Sequence, residues 1–240
     1  DVEIVDKLED KMKLIELCLT MAYEAKVNYM DVLGSVKYWD ILIYNYLRGK
    51  NIVIPQKKKS QKSEKFEGAY VKDPQVGMHN WVMSFDLNSL YPHLIMQYNI
   101  SSETLVSQKK VEKMSVDKLL NKEIDTSFMK TKTLTPNGAL FNTTKKGFLP
   151  EIMETMYNDR VKYKKLMLQS KQEYENTKEP KLLKDISKYH NIQMAKKISL
   201  NSAYGAIGNE WFRYYDLLVA EGITTAGQLS IRWIENKVNQ

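Results

Sequence analysis

Asp86 is the residue around which chemistry would gather. The five residues before it, Trp81-Val82-Met83-Ser84-Phe85, form an apolar, β-favouring run of strand length that delivers one carboxylate at its C-terminal end. Asn88 and Ser89 suit helix N-caps. Behind them Leu90, Tyr91, Leu94, Ile95 and Tyr98 recur at three- and four-residue spacing, so the sequence predicts a strand turning straight into a helix. Such a turn leaves backbone N–H groups unpaired beside a carboxylate. A divalent cation on Asp86 and a polyphosphate on those N–H groups can share one place, because the metal neutralises what the carboxylate would repel. The same residues also describe a capped helix with an ordinary aspartate in its turn.

A second set of groups lies beyond residue 150. Pro150 to about Asn176 places Ile152, Met156, Tyr163, Met167 and Ser170 near one helical face; Lys181 to Tyr204 places Leu182, Ile186, Tyr189 and Gln193 on another. Asn176 to Pro180 separates them, so the two helices are expected to fold back antiparallel as a projecting hairpin. Arg160 and Lys164 share a face of the first helix, and Lys197, Asn201 and Tyr204 follow at i, i+4, i+7 on the second. Cations converging from two helices are what a triphosphate requires, although each row alone also suits a solvated face. Gly205 and Gly208 punctuate the expected helix end and permit close approach of a ligand. Tyr204 beside Gly205 can lay a flat ring against a base pair, or else pack in a core.

The elements that must hold these groups read as follows. Residues 6 to 50 are helical, with Leu8, Met12, Ile15, Leu19 and Ala22 on one apolar face and Trp39, Leu42, Ile43 and Leu47 on a second. Lys57 to Lys65 is polar, strongly basic and bare of apolar residues: a solvated linker, or a loop tracking a nucleic-acid backbone. Asp73-Pro74 marks a turn, and Thr135-Pro136-Asn137-Gly138 predicts a hairpin near Leu134 to Phe141. After Asp216, the residues Ile223, Ala226, Leu229, Trp233 and Val238 signal a last amphipathic helix.

Composition narrows the class. Thirty-six Lys and Arg against 29 Asp and Glu give a formal charge of +7, which suits a polyanionic partner. A lone Cys18 forms no internal disulfide, and His79, His93 and His190 lack zinc-ligand spacing, which points to a reducing, cytoplasmic setting. There is no apolar run of about 18 residues and no signal-peptide pattern, so no membrane partner is expected. The chain opens on Asp1 without a methionine and closes at Gln240 inside a helical pattern, so it reads as a segment of a longer protein or one piece of a split one.

Two motifs resolve together. Asp86-Leu87-Asn88-Ser89-Leu90-Tyr91-Pro92 resembles motif A of the family B DNA polymerases, and Lys197-Ile198-Ser199-Leu200-Asn201-Ser202-Ala203-Tyr204-Gly205 resembles their motif B. The likeness extends along the chain and is strongest to the replicative polymerases of T-even-like bacteriophages, through Gly205 to Asn209, Phe212 to Leu217 and Ile100 to Thr104. It implies an α+β fold: part of a right-hand polymerase, with palm strands and helices and an antiparallel helical fingers hairpin. Residues 1–57 would be the helical tail of the exonuclease and N-terminal region. Residues 58–146 would be the first part of the palm, 147–208 the fingers and 209–240 the second part of the palm.

The resemblance also implies roles. Asp86 would be the catalytic metal ligand, the Leu87 carbonyl a further metal contact, and Ser89 and Leu90 backbone N–H donors to the triphosphate. Tyr91 would pack under the deoxyribose and select dNTP over rNTP. Arg160, Lys197 and Asn201, with Lys164 as an auxiliary cation, would hold the incoming phosphates; Tyr204 and Gly205 would line the nascent base pair. Phe66 to Tyr70 resembles a Tyr-x-Gly-Gly/Ala segment with Phe in place of Tyr, and on that resemblance Gly68 would be a DNA contact. Asp1 falls where the last exonuclease motif supplies a metal-binding aspartate.

The implied partners are primer-template DNA, dNTPs and two Mg²⁺ ions. A sliding clamp reached through further C-terminal residues, and the cytoplasm of an infected bacterial host, complete the expectation. The Asp-Thr-Asp pattern of motif C, expected beyond Gln240, does not occur in the chain. Two Mg²⁺ ions roughly 3.5–4 Å apart need more than one carboxylate, so these residues are expected to be inactive alone. The alternative is a non-catalytic nucleic-acid-binding or assembly subunit of a split polymerase.

Overall fold

Helical periodicity becomes helix almost wherever the sequence predicts it. The computed structural model of the chain describes residues 1–57, 68–127 and 129–239. In chain order the elements are α1 (Val2–Met12), α2 (Leu14–Ala25), a 3-10 turn (Tyr29–Leu33), α3 (Ser35–Gly49), α4 (Leu90–Tyr98) and α5 (Val116–Leu120). They continue with β1 (Lys132–Leu134), β2 (Leu140–Asn142), α6 (Phe148–Thr177), α7 (Pro180–Ile207) and α8 (Leu217–Val238). The result is a mostly helical α+β chain in two units: residues 1–61 with 152–214, and residues 62–151 with 215–240. Most of the basic run read as a linker, with Phe66 and Glu67, lies outside the described residues.

In the first unit, α2 and α3 pack on α7. The second predicted stripe of the N-terminal region is the core here: Trp39, Ile43 and Leu47 are buried, and the Trp39 ring meets Tyr38 edge-on at 6.3 Å. The first stripe behaves differently. Lys13 adopts a left-handed conformation that divides α1 from α2, and Leu8, Met12, Ile15 and Leu19 stay exposed while Ala22 is buried. The predicted hairpin forms. Tyr163 of α6 lies 6.1 Å from Tyr189 of α7, and Lys196 reaches Asp159 at 3.4 Å, so partner numbers fall along one helix as they rise along the other. Ile152, Met156 and Met167 are buried on the expected face of α6.

In the second unit, α4 and α5 pack against α8, whose Val219, Ile223 and Ala226 are buried. Asp216 caps α8 by accepting from the N–H groups of Leu218 (2.9 Å) and Val219 (3.3 Å). The expected stripe of α8 is core only in its first half, since Trp233 and Val238 are exposed. β1 and β2 pair antiparallel across the predicted turn, which Gly138 closes at φ 87°; its N–H donates to the Thr135 carbonyl at 2.8 Å. A Cβ at Gly138 would stand 2.6 Å from the Val111 carbonyl oxygen, so only glycine fits this turn.

The start of α6 is fixed by residues far from it in sequence. The Glu103 carboxylate accepts from Phe148 N–H at 2.6 Å, a negative cap at a helix N-terminus, and the Ser101 hydroxyl donates to the same carboxylate at 2.5 Å. Buried Asn99 donates to the carbonyls of Asn142 (2.6 Å) and Lys145 (2.9 Å) and accepts from Gly147 N–H (2.9 Å). Losing three such bonds in a buried place costs about 2–4 kcal/mol. Asn99→Ala is therefore expected to lower the urea midpoint of this unit with the m-value unchanged; an unchanged midpoint would show that the network contributes nothing net.

One predicted element does not form. Residues 82–87 have no regular structure and, among the described residues, pair with no strand. Trp81, Val82, Met83 and Phe85 are all exposed. β propensity reflects fit to a half-buried pleated surface, and a single extended segment without neighbours has no ladder to join.

Candidate active site

Asp86 stands at the end of that irregular segment with its side chain exposed, and Leu87 beside it is 38 % exposed. Asn88 and Ser89 form the turn into α4. Ser89 is the N-cap residue, but its backbone is left-handed (φ 54°, ψ 47°) and its side chain makes no capping bond; the capping expected of its hydroxyl does not occur. Its carbonyl instead accepts from His93 N–H at 3.1 Å. The local strain, of order 1–2 kcal/mol, turns the chain sharply enough that Leu90 opens a helix directly after the exposed carboxylate. Pro92, with no N–H of its own, occupies the first turn, where none is needed.

Tyr91 is half-buried against α8. A Cβ added at Gly227 would lie 3.0 Å from Tyr91 Cε1, so the glycine makes the groove that seats the ring. Burial pushes the Tyr91 phenol above its ordinary pKa and keeps it neutral. Leu94 and Ile95 are buried behind it. Gly68, the other predicted DNA contact of this unit, is exposed, and its carbonyl accepts from Gln228 Nε2 at 2.7 Å.

The predicted phosphate and base-pair groups lie in the other unit. α7 presents Lys197, Asn201 and Gly205 to solvent, with Tyr204 half-buried at the edge of the same stripe; Ser199, Leu200, Ala203, Ala206 and Ile207 are buried on the remaining face. α7 runs through Gly205 and ends at Ile207, so Gly205 does not punctuate the helix as expected. Gly208 caps it at φ −79°, a value open to any residue. A Cβ at Gly205 would touch nothing within 4 Å. On α6, Lys164 is exposed and Arg160 is half-buried.

What sets this orientation was not legible in the motif. The Ser199 hydroxyl is hydrogen-bonded to the Tyr38 hydroxyl at 2.7 Å, and Trp39 Nε1 donates to Ser202 at 3.0 Å. Burial is the main cause of a raised Tyr38 pKa. The two serines, three apart, tie one side of α7 to α3, which turns Lys197 and Asn201 outward. Lys196, next in sequence to Lys197, is held by Glu24 at 2.6 Å and by Asp159, so of the two adjacent lysines only one is presented to solvent. Arg213 clamps the segment after α7 through two bonds to Asp40 (2.8 and 3.2 Å) and one to the Pro55 carbonyl (2.7 Å), and the Asp40 bond raises its pKa. A hydroxyl pair at helical spacing opposite Lys197 and Asn201 was the available signal for the α3 contact.

The chemistry of the donor set does not complete a metal centre. Among the described residues, no three His, Cys, Asp or Glu side chains gather where they could hold an ion. Asp86 supplies one hard carboxylate, and Asp1 stands exposed at the N-cap of α1. A pair of Mg²⁺ ions requires more oxygen ligands than either provides. Among the described residues, no helix is long and apolar enough to cross a membrane.

Comparison with known proteins agrees with the motifs. The family described as DNA polymerase family B matches residues 35–240. The chain is 33 % identical over its whole length to the DNA-directed DNA polymerase of Escherichia phage RB69 and 32 % identical to that of Enterobacteria phage T4. It spans 31 % of the length of each. The DNA polymerase delta catalytic subunit of Dictyostelium discoideum is 29 % identical over 95 % of the chain and 19 % of its own length. The structure of the family B DNA polymerase from the archaeon Pyrobaculum calidifontis covers 97 % of the chain and 27 % of its own, with a TM-score of 0.69 and 20 % identity, a likeness of fold. The chain belongs to the family B DNA polymerases.

Proposed function

We propose that this chain supplies the nucleotide-binding part of a template-directed DNA polymerase that adds dNTPs to a primer 3′-hydroxyl. The observation that carries the reading is the outward stripe Lys197, Asn201 and Gly205 on α7, whose opposite side is committed to α3 through Ser199 and Ser202. A helix rotated this way offers a cation, an amide and a bare backbone in one row. In this reading α6 and α7 are the fingers, and Arg160, Lys164, Lys197 and Asn201 neutralise and orient the triphosphate of the incoming nucleotide. Phosphoryl transfer is mostly positioning and electrostatic stabilisation, which these groups are suited to provide.

The residues around α4 and α8 are the palm. Tyr91, fixed by its groove at Gly227, meets the sugar and excludes a 2′-hydroxyl; Ser89 and Leu90 donate to phosphate oxygens. Tyr204 and Gly205 form the flat wall of the base pair, and Gly68 touches DNA. Asp86 contributes one carboxylate, with the Leu87 carbonyl beside it, to a metal site that needs a second acidic segment from outside these residues. Asp1 belongs to an exonuclease site on the same reading, and a sliding clamp is a further partner of the complete enzyme.

That motif A supplies one carboxylate, Asp86, also favours a second reading, a nucleic-acid-binding subunit of a split polymerase. Primer extension decides between them: the chain is assayed alone, and again as a longer chain that includes the motif C segment. Activity in the longer chain alone supports the polymerase reading with an incomplete site. Coding sequence that stops and resumes in a separate frame supports the split enzyme, and extension by the short chain unaided contradicts both. In the active form, Arg160→Ala and Lys197→Ala are each expected to raise KM for dNTP by ~10- to 100-fold, the value of a charge-assisted hydrogen bond. Unchanged dNTP kinetics in both variants would remove the phosphate role.

A further inference from the structure

Gly68, Tyr70 and Lys72 are held along α8 by three successive rungs. Gln228 Nε2 donates to the Gly68 carbonyl at 2.7 Å. The Arg232 guanidinium lies over the Tyr70 ring, 5.6 Å from its centroid, and is itself fixed by Asp117 at 2.5 Å. Lys72 pairs with Glu235. The spacings explain the match. Gln228, Arg232 and Glu235 sit at i, i+4, i+7 on one face of the helix and rise about 4.5–6 Å per step. Alternate residues of an extended chain advance about 6.4–6.8 Å, so an extended segment running parallel to α8 stays nearly in register over three rungs.

The ladder grips one side of this segment and, among the described residues, nothing covers the Cβ side of Gly68. Gln228 is buried, so its amide is committed inside the unit. Gly68 and Ala69 are exposed, and a Cβ added at Gly68 would meet nothing within 4 Å. An anchored carbonyl beneath an open glycine is a surface that another backbone can approach closely. The basic run from Lys57 to Lys65 precedes it in sequence, so the polyanionic backbone of a DNA strand is the partner its chemistry favours.

We propose that Gln228, Arg232 and Glu235 are positioning residues for DNA binding, holding Gly68 to Lys72 so that the open face of Gly68 and Ala69 meets the sugar-phosphate backbone. The inference rests on Gly68 being a DNA contact, as read above. It is tested in the complete polymerase that carries these residues, by primer-template affinity from fluorescence anisotropy, KM for dNTP and thermal unfolding. Gln228→Leu keeps the shape of the side chain without its donor, and is expected to weaken primer-template binding about tenfold while leaving KM for dNTP unchanged. Glu235→Lys gives the same pattern from a less buried position should Gln228→Leu fold poorly. Combining it with Lys72→Glu is expected to restore affinity to within about threefold of the parent, since the pair is rebuilt with its charges exchanged.

Failure of the exchanged pair to recover would mean that Lys72 acts through its own charge, and the positioning role would fall. A fall in stability with no change in DNA affinity in Gln228→Leu and Glu235→Lys would also overturn it, leaving a purely structural ladder. Gly68→Val separates the inference from the reading beneath it. If that variant leaves DNA affinity unchanged, Gly68 is not a DNA contact. If it weakens binding while the α8 variants do not, the contact stands and the ladder does not position it.

Discussion

Asp86→Ala is expected to abolish primer extension by a polymerase carrying these residues, by about a thousandfold or more, while thermal unfolding stays within experimental error of the parent. The two halves of the expectation have different causes. Asp86 is exposed at the end of an irregular segment, and surface substitutions away from caps and networks usually move stability by no more than about 0.5 kcal/mol. A carboxylate that holds a catalytic metal contributes several kcal/mol of transition-state stabilisation, which converts to three orders of magnitude or more in rate. Asp86→Asn sharpens the test because it retains shape and hydrogen bonding but loses the charge. Single-turnover incorporation with Mg²⁺, measured beside primer-template affinity, is the assay. Extension that survives in both variants would show that Asp86 is an ordinary turn residue and that the metal-binding reading is wrong.

Trp39→Ala should have the largest effect on stability. The ring is 1 % exposed, meets Tyr38 edge-on and gives its indole N–H to Ser202 of α7. Removing a buried aromatic side chain costs about 3–5 kcal/mol, a large part of the 5–15 kcal/mol that holds a typical domain together. Denaturant unfolding followed by circular dichroism measures it, with Trp233→Ala as a control at a 55 % exposed site. Ser202→Ala isolates the polar component, because it strands a buried N–H without opening a large cavity, at about 1–3 kcal/mol. The pair of results also bears on function. Ser202 and Ser199 keep Lys197 and Asn201 on the outward face, so Ser202→Ala is expected to weaken dNTP binding even where the fold survives. A Trp39→Ala variant as stable as its control would mean that α3 does not pack on α7 as described.

The conserved geometry of a helix or a turn is local, and local geometry was legible. The periodicities of Pro150 to about Asn176, of Lys181 to Tyr204 and of the residues after Asp216 placed three helices within a few residues of their observed bounds, because side chains three and four apart share a face whatever surrounds them. The stretch read as helical from 6 to 50 is instead divided into α1, α2, a 3-10 turn and α3. Thr135 to Gly138 announced its hairpin through Pro136, whose ring presets a turn, and Gly138, which takes the positive φ the turn needs. Motifs A and B identified the family from residue types alone, and the family match over residues 35–240 agrees with them.

Pairing and covering were decided only in three dimensions. Trp81 to Phe85 has the composition of a strand, yet a strand exists only where another backbone completes its ladder, and among the described residues none does. Lys196 and Lys197 carry the same side chain one residue apart; packing sends the first to Glu24 and Asp159 and leaves the second in solvent. Glu103 caps a helix that begins 45 residues later, Trp39 orients a serine 163 residues away, and Gln228 holds a carbonyl at a separation of 160. Short-range spacing determined which groups this chain carries and which helices bear them. Contacts distant in sequence decided which of those groups face solvent, because only packing settles which side of an amphipathic element is covered.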